Sequence, residues 1–178
     1  VNLSESSIYW TGKKPAGEHT GTVKLTSGEL KLEKGEVKSG TFVIDLNSIT
    51  NTDIADAGMK EKLVGHLKSP DFFDVAKYPT ATFAITRVAR LKAAENAKGD
   101  VKATHLVEGN LTMKGVTHKV QFNATISVLN GTLTASSLPF VIDRTKWGVN
   151  YQSKSVFSEL KDQFIHDEIT LKIELLAR

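Results

Sequence analysis

The chain has 178 residues, 40% hydrophobic and 24% charged, a length and balance that suit one folded domain over residues 1–178. Lys and Arg total 23 against 20 Asp and Glu, and the bases alternate with acids, as in Lys31, Glu33, Lys34, Glu36 and Lys38. With no basic stripe between stacking aromatics, nucleic-acid binding is not expected, and the absence of cysteine excludes a disulfide framework and a thiolate metal site.

No run approaches the roughly 18 apolar residues of a membrane-spanning helix. The chain opens on Val1 and polar residues, which reads as no export signal. The first periodic signal is His19, Gly21, Val23 and Leu25 on one parity, followed by Phe42, Ile44 and Leu46. Period two marks a strand, because successive side chains point to opposite faces. Over residues 51–68 the period changes. Met59, Leu63 and Leu67 recur every four positions, which predicts a helix capped by Thr52 or Asp53. Ser69-Pro70-Asp71 then reads as an N-cap with Pro at the first position of a single turn carrying Phe72 and Phe73.

Strands resume at Ala81, Phe83 and Ile85, and again at Val107, Gly109, Leu111 and Met113. The cleanest alternation runs through Val116, Val120, Phe122, Ala124, Ile126 and Val128. Leu133 and Ala135 give way to Leu138, Phe140 and Ile142, a parity change that predicts a bulge near Ser136-Ser137. Residues 146–166 are irregular, and Val156, Phe157, Leu160 and Phe164 predict a short helical lid. Ile169, Leu171, Ile173 and Leu175 form a last strand. Reversals are expected at Ser27-Gly28, Lys34-Gly35, Lys98-Gly99, Lys114-Gly115 and Asn130-Gly131. Asn-Gly is the strongest of these, since both residues tolerate positive φ.

About eight strands, each with one apolar face, must curl or pair to hide it. Closed, they make an antiparallel β-barrel whose interior is either filled by side chains or holds one ligand. The inward parity mixes Phe with Gly21, Ala81, Gly109, Ala124 and Ala135, which permits an axial cavity. A packed barrel or sandwich without one is the alternative that composition leaves open. An outer-membrane barrel needs aromatic girdles at both interfaces, and two Trp and three Tyr do not supply them.

Several motifs occur in order along the chain: Trp10-Thr11-Gly12-Lys13, His19-Thr20-Gly21, and Phe42-Val43-Ile44-Asp45 with Ser48-Ile49. The densest run is Leu63-Val64-Gly65-His66-Leu67-Lys68-Ser69-Pro70-Asp71-Phe72-Phe73-Asp74, followed by Tyr78-Pro79-Thr80-Ala81-Thr82-Phe83. Gly109-Asn110-Leu111-Thr112-Met113-Lys114-Gly115-Val116-Thr117 and Asp143-Arg144-Thr145-Lys146-Trp147-Gly148-Val149 complete the set. Together they resemble the YceI-like, polyisoprenoid-binding, lipocalin-like family. The resemblance implies an all-β, lipocalin-like antiparallel barrel with an elongated apolar cavity, here with a short helical insertion and a short C-terminal helical lid. It further implies association with isoprenoid or other long-chain amphiphiles, export to the periplasm or beyond, and homodimers in many members.

The candidate ligand wall is Trp10, Val23, Phe42, Ile44, Phe83, Ile85, Leu111, Phe122, Phe140 and Phe157, with His19 and Arg144 as polar lining. Asp45, His66 and Arg144 sit in motifs beside apolar neighbours. They bind a polar head group at the cavity mouth or form a buried network that ties helix to strands. The five histidines have no helical i, i+4 spacing, so no metal is expected. Ser158-Glu159-Leu160-Lys161 fits a Ser-x-x-Lys pattern, but the further motifs and α/β scaffold of those enzymes are missing. The reading is thus a carrier without catalytic residues or cofactor. The alternatives are an enzyme acting on a lipid or isoprenoid, and a filled structural barrel.

Overall fold

The computed structural model describes residues 1–92 and 103–178. The reversal expected at Lys98-Gly99 lies outside the described residues. The strands are β1 (Ser7–Lys14), β2 (Gly17–Glu33), β3 (Glu36–Asp45), β4 (Thr80–Arg90), β5 (His105–Met113), β6 (Val116–Leu129), β7 (Thr132–Ser137), β8 (Phe140–Asp143) and β9 (Glu168–Ala177). One helix, α1 (Ala57–Lys68), lies between β3 and β4.

Every strand pair is antiparallel, and the order is sequential from β1 to β7. The ring closes where β1 pairs β9, from Ser7↔Glu174 to Gly12↔Ile169. β7 and β8 lie end to end along the other edge of β9, so nine strands fill eight places around the barrel. The register changes by one residue between Ser136↔Glu174 and Phe140↔Leu171. That is the parity change expected near Ser136-Ser137. The extra residue falls at the Leu138-Pro139 step.

Three hairpins turn where Gly follows a residue driven into the left-handed region. φ is 53° and 78° at Lys34-Gly35, 51° and 76° at Lys114-Gly115, and 50° and 77° at Asn130-Gly131. Positive φ at both central residues gives a turn whose twist matches that of the flanking strands. Ser27-Gly28 is not a reversal. It lies inside the 17-residue β2, where the register jumps from Leu25↔Ile44 to Ser27↔Val43 and leaves Thr26 as a bulge. A second bulge at Thr86 follows Ile85↔Gly109 in β4. Each bulge moves the apolar set to the other parity, so Leu30 and Val88 still face inward.

The helix starts later than its apolar period predicts. Neither Thr52 nor Asp53 caps it. Asp56 does, its Oδ1 accepting from the Met59 amide at 2.8 Å. Residues 51–53 instead bond to β2: Thr52 N and Asn51 Nδ2 both donate to Thr20 O, and Asp53 accepts from Thr20 N at 2.7 Å. Asn and Asp side chains that satisfy neighbouring backbone compete with helix formation. Met59 is 62% exposed and leaves the apolar stripe to Leu63 and Leu67. Over residues 146–166 the structure has turns and a 3-10 turn (Arg144–Trp147), with no α-helix. The element that covers an end of the barrel is α1, not a C-terminal helical lid. No helix among the described residues is long and apolar enough to cross a membrane.

Candidate ligand-binding lumen

The inward faces of the strands meet at two adjoining apolar cavities. One lies at the α1 end and has a volume of about 180 Å³. Its wall carries Trp10, His19 and Val23 from β1 and β2, and α1 with the following turn covers it through Leu63, Leu67, Phe72 and Phe73. The other, about 120 Å³, lies further up the barrel and is walled by strands alone, with Phe42, Phe83, Ile85, Phe122, Ala124 and Phe140 among its lining. Ile8, Ile44, Leu111 and Leu171 border both and form a waist.

Small residues set the positions of the large ones. Phe83 occupies the space over Gly109, where a Cβ would stand 2.3 Å from the ring and 2.6 Å from Ala84 O. Trp10 packs on Gly21, where a Cβ would meet the indole at 2.6 Å and Thr50 O at 1.9 Å. Across the upper cavity Phe83 approaches Phe122 at 5.8 Å between ring centroids, and Phe122 stacks on Phe140 at 4.5 Å.

The structure thus brings Trp10, His19, Val23, Phe42, Ile44, Phe83, Ile85, Leu111, Phe122, Phe140 and Arg144 to the lumen. Phe157 is not among them. It is 47% exposed on the turns of residues 153–160, because the helix that was to turn it inward does not form. Ser158 and Lys161 are exposed on the same excursion. Ile8, Leu171 and Ile173 line the lumen without having been singled out. For Leu171 and Ile173 the signal was their parity in β9. For Ile8 it was the alternation Ile8, Trp10, Gly12 that marks β1.

The polar candidates do not meet at one head-group site. Arg144 is 2% exposed, and its fork is committed to backbone: Nη1 donates to Val149 O at 2.7 Å, Nη2 to Ile165 O at 3.0 Å and Nε to His166 O at 3.1 Å. Burial lowers its pKa, opposed by the Asp167 and Asp143 charges. Asp45 Oδ1 accepts from the Asn47 amide at the start of a 3-10 turn. His66 bonds Asp71 at 2.8 Å and sets its ring edge-on to Phe72 and Tyr151. Arg144 thus ties segments together, His66 joins α1 to the turn after it, and Asp45 caps a local turn.

His19, at the lumen, has a carboxylate partner outside the barrel wall, its Nδ1 lying 2.9 Å from Asp53 Oδ2. Burial raises the Asp53 pKa, but hydrogen bonds from Thr20 N–H, His19 and Asn51 outweigh it and hold the carboxyl at about 2. At the opposite end Arg90 Nε donates to Glu36 at 3.0 Å beside His105. Burial lowers the His105 pKa and the Arg90 charge adds to it, against a smaller opposing effect of Glu36. Among the described residues no set of three His, Asp or Glu side chains converges on a metal position.

Fold and lumen define a closed antiparallel barrel with an apolar interior. A family model of the YceI-like domain matches residues 1–177, and the chain belongs to that family. A UPF0312 protein of Yersinia enterocolitica is 35% identical over 96 residues, 49% of this chain and 44% of that protein. The chain spans less than half the length of the curated relatives it matches. Among solved structures, BcnA of Burkholderia cenocepacia superposes with a TM-score of 0.73 at 24% identity, covering 100% of this chain and 99% of that one. A polyisoprenoid binding domain from Saccharophagus degradans, implicated in plant cell wall breakdown, gives 0.64 at 17% identity over 98% and 94%. At these identities the likeness is one of fold.

Proposed function

We propose that the chain binds the apolar tail of a lipid, isoprenoid or fatty-acyl, inside the barrel, as a carrier and not as a catalyst. The observation that carries this reading is the lumen itself, two adjoining cavities walled almost wholly by hydrocarbon. A dry apolar cavity of about 150 Å³ suffices to bind a molecule of benzene's size. From Val107 to Met113, strand rise and a tilt of about 40° give the lumen an axial length of ~15 Å. That is about half the ~30 Å hydrocarbon core of a bilayer, or one leaflet. Burial contributes about 0.8 kcal/mol per methylene, so a tail of leaflet length gains enough to offset the cost of being ordered. His19 lines the α1-end cavity and is held by Asp53 from outside the wall. The polyisoprenoid-binding neighbour supports the ligand class, and the family resemblance supports an exported, dimeric protein, to be checked by fractionation and sedimentation.

The test pairs ligand with stability. Purified protein is extracted with organic solvent and the extract analysed by mass spectrometry, with Ala124→Trp and Asn123→Ala alongside wild type. Ala124 is 2% exposed and lines the upper cavity. If that space holds a tail, the Trp variant loses the extracted lipid at near-normal melting temperature, and Asn123→Ala keeps it. A wild-type extract without lipid, together with a Trp variant destabilised by the 1–3 kcal/mol typical of overpacking, supports a filled barrel instead.

A further inference from the structure

We infer that the barrel sorts ligands by tail length and that Leu111 sets the threshold. The inference rests on the lipid-tail reading and adds the class of tail: one long enough to pass the waist from the α1-end cavity into the upper one. Ile8, Ile44, Leu111 and Leu171 project from β1, β3, β5 and β9, on both sides of the ring, and stand between the two cavities as the side chains that line both. Leu111 is the most firmly placed. It is 8% exposed, its strand is paired on both edges through Phe83↔Leu111 and Leu111↔His118, and Trp147 Nε1 donates to its carbonyl at 3.1 Å.

The two cavities also differ in what surrounds them. The α1-end cavity is covered by a helix and a turn, whose side chains can shift without breaking a strand ladder. The upper cavity is walled by strands, with Phe83 held over Gly109. A short tail is therefore housed at the α1 end alone. A longer one must first displace waist side chains, gaining little per added carbon, and then gains again in the upper cavity.

The experiment follows displacement of Nile red by unbranched primary alcohols, lengthened two carbons at a time. Uninterrupted burial strengthens binding about fourfold per methylene. The wild type should rise at that rate, flatten to less than about twofold per methylene at the waist, and rise again. Leu111→Ala should abolish the plateau. Leu111→Phe should extend it to the end of the series. Leu111→Met, of similar volume, should leave the plateau in place, and Leu171→Ala, at a less buried waist position, replaces Leu111→Ala if the latter does not fold. A steady rise in the wild type, or a plateau unmoved by every substitution, overturns the sorting inference and leaves the carrier reading standing. Failure of every alcohol to displace the dye overturns the carrier reading itself.

Discussion

Arg144 is a buried charge that donates three hydrogen bonds to carbonyls, and its nearest carboxylate, Asp167, stands 3.8 Å away. Its partners belong to the segment that runs from the 3-10 turn back to β9, so one side chain fastens residues 149, 165 and 166 to the base of β8. Arg144→Met would leave those carbonyls without donors, at ~1–3 kcal/mol for each buried unsatisfied group. A combined loss of about 3–5 kcal/mol lowers the melting temperature by roughly 10 °C. Arg144→Lys should recover little, because an ammonium cannot span three carbonyls in the plane of a guanidinium fork. An unchanged melting curve with lost ligand would assign Arg144 to head-group binding instead. Asp53 makes a pH prediction. Its pKa falls from 3.8 to about 2 on folding, so its contribution is complete above the unfolded value and is lost as pH falls toward 2. The stability difference between wild type and Asp53→Asn, measured by thermal melts across pH, should be widest above pH 4 and close near pH 2. A difference independent of pH would show that the carboxylate charge is not what holds residues 50–56 to β2.

At the scale of elements, Gly109 is the position where one methyl group decides the packing of two strands. Gly109→Ala would force Phe83 off its seat and press on the Ala84 carbonyl. The expected result is a cost of ~1–3 kcal/mol in thermal stability, with Phe83→Leu restoring part of it, since the smaller side chain vacates the space over Gly109. A stable single variant would mean that the ring is free to move. The same strands show what was legible in the sequence. β6 was plain because its inward residues Val120, Phe122, Ala124 and Ile126 keep one parity for its whole lumen-facing length, and the Asn130-Gly131 turn fixes its end. Bulges hid the continuity of β2, since Thr26 resets the parity and leaves Gly28, which sits against Phe42, looking like a turn glycine. The start of α1 was obscured because Asn51 and Asp53 are spent on a strand distant in sequence. Phe157 was misplaced because four apolar residues at roughly helical spacing do not make a helix when their turns are held by Ser153 and Arg144.

For the molecule as a whole, closure of the barrel is complete in topology but uneven in bonding. β6 pairs with β5 along residues 116–124 but with β7 only along residues 124–129, and β8 pairs with β9 alone. Between the first half of β6 and β8 there is, among the described residues, no ladder. Leu138 N donates to Asn123 O at 2.8 Å, and the next residue is Pro139, which has no N–H with which to continue. Side chains hold this seam: the Phe122–Phe140 stack at one level, and the His118 bond to Lys146 O with its edge contact on Trp147 at another. Since Asn123 turns its carbonyl toward the seam, Lys119 and Gln121, of the same parity, turn their amides there too, while Val120 and Phe122 face β5. Hydrogen exchange followed residue by residue should therefore alternate along β6, fast at Lys119 and Gln121 and slow at Val120 and Phe122. Past Ala124 the protected side should change, with Thr125 and Ser127 slow, because β6 there pairs with β7 and its ladder with β5 has ended. Equal protection of Lys119, Val120, Gln121 and Phe122 would mean that the seam is bonded shut in solution. If it is open, Phe122→Ala, which removes half of the aromatic stack, should quicken ligand exchange more than the same truncation of Phe42, whose strand is paired on both sides.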